Sequence, residues 1–393
     1  MFTKLTSLFF DRWEKFTKIV GILCEYNPLH LGHVKQMSMI RAFSGPDTAI
    51  VCLMSGNFVQ RGHPAVFDKM RRARAALEAG ADLVLELPVQ YCLSSAEGFA
   101  AGAVSILGTL CDEMSFGAEH PDREKLLSTA KTLLSPDFSG HLRTYLDAGL
   151  SFPAARAKAL ADMGAGAELV SSPNDILAVE YCKAILAQNS PMVPAPIRRG
   201  GSYHDAVADP ENPSATSLRA LIEGGKAFRP FVPTDLFDDA PVHTLAHGEK
   251  AVLARLRTMT DGEFEALPYG SEGLWRKLMH ACRQRNTLDD ILTAVKSKRY
   301  TRTRLDRMVM CACLGLTKEE LSSPAPYARV LGFTSRGQQV LHLAKDRTPL
   351  WNVGQRVDSP QWALEQRCSD LYGLFAEQPE PAGLEPKRRV IVW

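Results

Sequence analysis

An α/β architecture with a parallel sheet, followed by a mostly helical second domain, is what the sequence predicts. Three observations carry this reading. Short apolar runs alternate with helical patterns from residue 19 onward, as strands and crossover helices of a parallel sheet do. Composition changes near residue 226, after which helical periodicity dominates. A length of 393 residues gives two domains of ordinary size, each able to bury a core.

The elements follow in order. Residues 19–24 read as a buried first strand, 49–54 as a second, 83–87 as a third, 113–116 as a fourth and 192–197 as a fifth. The first four end in turn chemistry: Asn27-Pro28, Ser55-Gly56-Asn57, Pro88 and Gly117. Residues 71–79 and 96–107 have the alanine-rich periodicity of crossover helices, and a further helix spans 173–187. Residues 228–233 read as a linker, and 272–285, 287–298 and 303–314 as helices beyond it. The boundaries are an N-terminal extension at 1–18, an α/β domain at 19–225, a helical domain at 226–376 and a loosely ordered tail at 377–393.

The chain is 45% hydrophobic and 23% charged with a net charge of +2, so any nucleic-acid contact must come from local basic patches. Nine cysteines form no CxxC pair, and Cys24, Cys52 and Cys182 lie inside apolar runs, which suits buried reduced thiols better than disulfides or zinc. In the extension, Leu5, Phe9, Trp13 and Phe16 fall at helical spacing among charged residues, an amphipathic accessory segment or an over-extended reading frame, with a membrane-surface anchor as the lesser alternative. No apolar stretch reaches the length of a secretory or membrane-spanning segment. A cytoplasmic location without a membrane partner is the expectation.

The strongest chemical signal is His30-Leu31-Gly32-His33, placed after the first strand and opening a helix. Gly32 lets backbone approach a phosphate chain closely, the helix N-terminus supplies N–H groups, and the imidazoles of His30 and His33 can donate to phosphoryl oxygens as charge develops. Ser214-Ala215-Thr216-Ser217-Leu218-Arg219 is a hydroxyl-rich helix start whose Arg219 offers a fork to the β- and γ-phosphates. The loop at 55–62 opens at the carboxyl edge of the sheet, which makes Asn57, Gln60 and Arg61 candidate acceptor-side contacts. Asp68, Lys69, Arg71 and Arg72 either line the site or form a charged helix face. In the second domain Lys296, Lys298, Arg299, Arg302, Arg304 and Arg307, with Tyr300 among them, have the composition of an RNA-binding patch, phosphate attraction plus a ring that can stack.

The HxGH turn with the late Ser-Ala-Thr-Ser-x-Arg resembles the nucleotidylyl-transferase superfamily. Further segments resemble one member of it, the bacterial tRNA(Met) cytidine acetate ligase family. These are Glu25-Tyr26-Asn27-Pro28, Met54 with the loop through Gly62, Asp68-Lys69, Glu86-Leu87-Pro88, Ser95-Ala96-Glu97-Gly98-Phe99-Ala100, Phe116-Gly117-Ala118-Glu119, Ser172-Pro173-Asn174, Tyr203-His204-Asp205 and Lys298-Arg299-Tyr300-Thr301-Arg302. The match runs from about residue 20 to about residue 315.

The resemblance implies a Rossmann-like domain that activates acetate with ATP as acetyl-adenylate and acetylates the wobble cytidine of elongator tRNA(Met). Carried over, the ATP site comprises Leu23, Cys24, Glu25, Tyr26, Asn27, Pro28, Leu29, His30, Leu31, Gly32, His33, Val34, Lys35 and Gln36, with Gly117, Asn174, Arg198 and Arg199. Mg2+ is expected to bridge the ATP phosphates, as phosphoryl chemistry usually demands. Two departures are the extension before Ile19 and His63, which stands where the family more often has an acidic residue. An adenylyltransferase acting on a small phosphorylated acceptor would need the same His30, His33 and Arg219, but leaves the basic second domain unexplained. A module that binds nucleotide and RNA without turnover is the remaining alternative.

Overall fold

The computed structural model describes residues 18–198 and 214–393; Arg199 and the Tyr203-His204-Asp205 segment lie outside them, as does the N-terminal extension up to residue 17. Strands β1 (Ile19–Cys24), β2 (Ala49–Ser55), β5 (Leu83–Leu87), β6 (Glu113–Ala118) and β7 (Val193–Arg198) follow the sequence expectation closely, whereas the loop expected at 55–62 contributes to a small antiparallel hairpin of β3 (Phe58–Val59) and β4 (His63–Pro64). Three more strands, β8 (Ala328–Phe333), β9 (Leu350–Asn352) and β10 (Ile391–Val392), were not expected. The main sheet runs β10-β8-β5-β2-β1-β6-β7, with β9 beside β8.

β1 pairs in parallel with β2 on one side and β6 on the other. Strand order therefore reverses at β1: the chain builds outward through β2 and β5, then returns to lay β6 and β7 on the opposite flank. In open α/β sheets such a reversal leaves a crevice beyond the carboxyl ends of the central strands. The residues that follow β1, and those that end β6, open into it. Every residue of β2 and β5 is buried, as expected of inner strands covered on both faces.

The helix expected at 96–107 is Ala96–Leu107, and the one expected at 173–187 is Pro173–Ala187; both pack into the core that covers one face of the sheet. A second helical body gathers Leu245–Thr258, Leu274–Gln284, Leu288–Val295, Arg302–Leu314 and Pro360–Tyr372 around a core of its own, which also takes in Phe58, Val89 and Leu93.

Two expectations need correction. The stretch 226–376 does not stay helical, because β8 inserts antiparallel against β5 and extends the sheet begun by the first half of the chain. Residues 377–393 are not a loose tail: β10 pairs with β8, and Glu385 is fully buried against Lys69 at 2.8 Å and Arg329 at 2.5 Å. A buried carboxylate is stable only where cations hold it in place; Lys69 and Arg329 are distant in sequence, so the composition of residues 377–393 alone does not reveal the pairing. Val232 of the linker, and Phe237 just beyond it, pack into the core beneath the other sheet face.

Candidate active site

The HxGH turn is organised by its own side chains. His30 is the N-cap of the helix Leu31–Ser44; its Nδ1 accepts from the Gly32 N–H at 3.1 Å, while the His33 Nδ1 accepts from the His30 N–H at 3.2 Å. This reciprocal pattern is a capping box built from imidazoles instead of the usual hydroxyl and carboxylate. It fixes more than the helix end. A ring nitrogen that accepts a backbone N–H carries a lone pair, so each neutral imidazole bears its proton on Nε2 and presents an N–H donor. The two rings stack with centroids 3.8 Å apart, and Tyr26 packs edge-on to His33 at 4.8 Å. Gly32 has no room for a side chain, since an added Cβ would sit 2.9 Å from the His30 ring.

Arg219 closes the turn from the far end of the α/β half. Ser214 caps the helix Ala215–Glu223 by accepting from Ser217 N–H at 3.1 Å, and Arg219 on that helix donates to the Asn27 carbonyl at 2.8 Å and to the Thr216 hydroxyl at 3.2 Å. Asn27 in turn accepts from the Val66 N–H at 2.7 Å. Arg72, fully buried, donates to the carbonyls of Glu25 at 2.6 Å, Ser55 at 3.1 Å and Gly56, which ties the ends of β1 and β2 together.

A cleft of about 1390 Å³ opens over this turn. Of the expected ATP residues, Leu23, Cys24, Glu25, Tyr26, Asn27, His30, Gly32, His33, Lys35, Gln36, Gly117, Asn174, Arg198, Ser214, Thr216 and Arg219 line it. Pro28, Leu29, Leu31 and Val34 do not, and Leu29 is wholly buried in the core below. The opposite wall of the cleft anchors Asn174 near the N-terminus of its helix, where the side chain donates to Glu119 at 2.7 Å. Buried Asp175 accepts from the backbone N–H groups of Glu119 and His120 at 2.9 and 3.1 Å, so the end of β6 and this helix start are joined. Burial pushes the Cys24 thiol well above its ordinary range, which leaves it protonated and unsuited as a nucleophile. All nine cysteines are buried.

Several acceptor-side expectations are revised. Gln60, Arg61 and His63 line the cleft, but Asn57 is buried and accepts from the Lys69 N–H instead. Lys69 and Arg72 are neither site-lining nor a solvated face; they lie inside the protein, Lys69 against Glu86 and Glu385. Asp68 pairs with Arg388, and Arg71 donates to the Leu236 carbonyl. In the basic run, none of Lys296, Lys298, Arg299, Arg302 or Arg304 reaches the cleft. Arg299 pairs with Glu272, Arg302 with Asp289 and Asp306, and Arg304 donates to the Tyr269 carbonyl. Tyr300 is buried in the helical core, so its ring is not available for stacking on a base.

The helical body contributes cleft residues that the sequence does not single out, among them His243, Thr244, His247 and Thr303, together with Thr301 of the Lys298–Arg302 segment. Their signal was weak, because they flank helix starts far in sequence from the HxGH turn. Arg307, read before as one more member of the basic run, is the member that faces the cleft.

A mostly parallel, doubly covered sheet, a strand-order reversal at β1 and a histidine-capped helix at that point together define a nucleotidylyl transferase of the HxGH type. The comparison with known families agrees: residues 17–385 match the family described as HIGH Nucleotidyl Transferase. Among curated proteins, the tRNA(Met) cytidine acetate ligase of Clostridium novyi is 36% identical over 84% of this chain and 88% of its own length, and that of Clostridium acetobutylicum 33% identical over 95% and 100%. Among solved structures, Thermotoga maritima TmcAL in its apo form superposes with a TM-score of 0.87 at 31% identity, covering 95% of this chain and 99% of that one. The same protein bound with alpha-thio ATP gives a TM-score of 0.84 at 30% identity and the same coverage. The chain belongs to the tRNA(Met) cytidine acetate ligase family of HIGH nucleotidyl transferases.

Proposed function

We propose that this ATP-dependent ligase activates acetate in the cleft over the HxGH turn and transfers the acetyl group to the wobble cytidine of elongator tRNA(Met). The observation that carries the reading is the imidazole capping box, which aligns two Nε2–H donors and a helix N-terminus on one cleft. A carboxylate oxygen of acetate attacks the α-phosphorus of ATP; the bond to the β-phosphate breaks and pyrophosphate leaves. Donors fixed before the reaction stabilise the charge that builds on the α-phosphate, and need no reorganisation as it builds. The cytidine exocyclic amine then attacks the acetyl carbon, loses a proton, and AMP departs.

In this reading His30 and His33 touch the reacting phosphate, while Arg219, Ser214 and Thr216 hold the β- and γ-phosphates from the opposite jaw. Leu23 and Gly117 frame the nucleoside at the ends of β1 and β6, with Asn174 at the start of the helix Pro173–Ala187; Arg198 at the end of β7 and its chain neighbour Arg199, which lies outside the described residues, complete the set. Among the described residues no group of three or more His, Cys, Asp or Glu is arranged to hold a metal. Mg2+ binds chiefly through substrate phosphates and keeps several waters, so it would be carried in on the triphosphate and neutralise its charge there. The tRNA docks on the helical body, with Lys296, Lys298 and Arg299 on its exposed surface and Arg302 and Arg304 behind them. No helix among the described residues is long and apolar enough to cross a membrane.

The test is incubation of the protein with ATP, labelled acetate and total tRNA, followed by nucleoside analysis. Labelled N4-acetylcytidine in the tRNA(Met) fraction is the expected product. Acetate-independent pyrophosphate release that responds instead to a small phosphorylated acceptor would overturn the reading.

A further inference from the structure

Near the end of β1, one wall of the cleft holds a cation that no ion pair among the described residues neutralises. Arg307 sits on the helix Arg302–Leu314 and lines the cleft. Its guanidinium lies 5.2 Å over the Tyr269 ring and donates a long bond, 3.4 Å, to the Gln60 carbonyl; its Nε is buried without a hydrogen-bond partner. Among the described residues no carboxylate forms an ion pair with it. The nearest in sequence, Asp306, is held by Arg302 at 2.9 Å and faces His63 at 3.7 Å. Burial also pushes the Arg307 guanidinium below its ordinary pKa, the direction of a cation short of compensation. A buried charge without an anionic partner is costly, and a guanidinium that faces a ligand cleft gains that partner when an anion binds.

Its location narrows which anion. The Gln60 N–H donates to the Glu25 carboxylate at 2.7 Å while the Gln60 carbonyl accepts from Arg307, so a single residue separates Arg307 from the side chain that follows β1. The hairpin that carries Gln60 is locked onto the helix: Gly62 has φ +81°, and any Cβ there would collide with the backbone of Asp306 and Arg307. Lys296, Lys298 and Arg299 are exposed on the approach to this same helix, with Arg302 and Arg304 half-buried along it before Arg307. Arg299 is paired with Glu272 and Arg302 with Asp289 and Asp306, so the run is a broken track, with Lys296 and Lys298 at the open surface and Arg304 and Arg307 further in. A polyanion can follow such a track, whereas a single acetate would use only its inner end. The cleft, at about 1390 Å³, is also larger than the 300–1,000 Å³ or so typical of a small-ligand pocket.

We propose that Arg307 binds a backbone phosphate next to the target cytidine and so fixes how deeply the acceptor nucleotide enters the cleft. The assignment rests on the acetyl-transfer reading above and adds to it the residue that positions the RNA. Arg is suited to this because its planar fork meets two phosphate oxygens at once, which Lys does not reproduce.

The experiment compares wild type, Arg307→Gln and Arg307→Lys in the full-length protein. The readings are tRNA affinity at several salt concentrations, KM for tRNA, and ATP affinity as the check that the cleft is intact. Arg307→Gln is expected to weaken tRNA binding roughly tenfold or more and to make its salt dependence shallower by about one phosphate contact. Arg307→Lys is expected to keep the salt dependence but recover only part of the affinity. The proposal is overturned if tRNA affinity and its salt dependence are unchanged in Arg307→Gln. It is equally overturned if that variant raises KM for acetate while tRNA binding persists, which would give the guanidinium to the acid. A wild-type protein that binds tRNA but forms no acetylcytidine would instead defeat the functional reading on which this one stands.

Discussion

Arg219 donates from its guanidinium to the backbone carbonyl of Asn27 at 2.8 Å, joining residues 192 positions apart across the mouth of the cleft. The contact holds the turn between β1 and the HxGH helix, and it spends one arm of the Arg219 fork on the protein itself. With its other arm on Thr216 at 3.2 Å, the side chain spans the two segments proposed to face the phosphates.

Replacing Arg219 with Lys keeps a positive charge but loses the fork. Because a compact ammonium offers no bidentate geometry, kcat/KM for ATP should fall by at least roughly tenfold, and Arg219→Ala by about a hundredfold. Acetate-dependent pyrophosphate release measures both. Equal activity of the Lys variant and wild type would show that charge alone suffices there.

His33→Ala removes both a proposed Nε2–H donor and one half of the capping box. Turnover should drop by roughly 10²–10³, the range for losing one transition-state donor. Stability should fall by about 0.5–1 kcal/mol as the His30 N–H loses its partner. Thermal unfolding beside turnover separates the two effects. A large loss of stability with near-normal turnover would make His33 a cap and nothing more.

Much of this site could be read in the sequence because local rules act there. A strand, a turn and a helix start lie within one short stretch, so the positions of His30, Gly32 and His33 follow from chain order. Strand β8 escaped notice for the opposite reason. Residues 328–333 lie in a stretch where helical patterns dominate, and only the distant β5 edge makes them a strand. Lys69 and Arg72 were misread likewise, because a charged residue is ordinarily a surface residue. What buries them here is the carbonyls at the ends of β1 and β2 and a carboxylate from residue 385. Long-range charge pairing leaves no periodic trace in sequence.

The basic run is most informative where its side chains are exposed. Lys296, Lys298 and Arg299 changed together to Ala should weaken tRNA binding and make its salt dependence shallower by about two to three phosphate contacts. ATP affinity should hold, as none of the three lines the cleft. Arg302 and Arg304 are poor choices for this test, since each supports the helical body through Asp306 or the Tyr269 carbonyl. Filter binding with tRNA across a salt series checks the outcome, and an unchanged salt dependence would mark these side chains as solvated bystanders.

The interior charge cluster predicts a pH dependence of stability. Lys69, Arg329 and Arg388 contact four carboxylates, Glu86, Glu365, Glu385 and Asp68, so anions outnumber cations by one. The surplus falls on Glu365: burial, with Glu86 close by, pushes its carboxyl up from 4.5 to about 7 even though Arg329 lies 2.7 Å away. Arg329 itself is held firmly charged, because three carboxylates share it. A carboxyl whose folded pKa exceeds its unfolded value favours folding fully below the unfolded pKa, and that contribution is lost as pH rises through the folded one. For Glu365 the loss runs between about pH 4.5 and pH 7 and amounts to about 3 kcal/mol at most. Glu365→Gln keeps a neutral group of the same shape beside Gln361 and Arg329 and has no proton to lose. Denaturant unfolding of wild type and Glu365→Gln at pH 5 and pH 8 should therefore show the difference in stability moving toward the variant at the higher pH. The other ionisable groups titrate alike in both proteins and cancel in that difference. A difference independent of pH would mean that Glu365 is ionised throughout and that the cluster carries its surplus charge elsewhere.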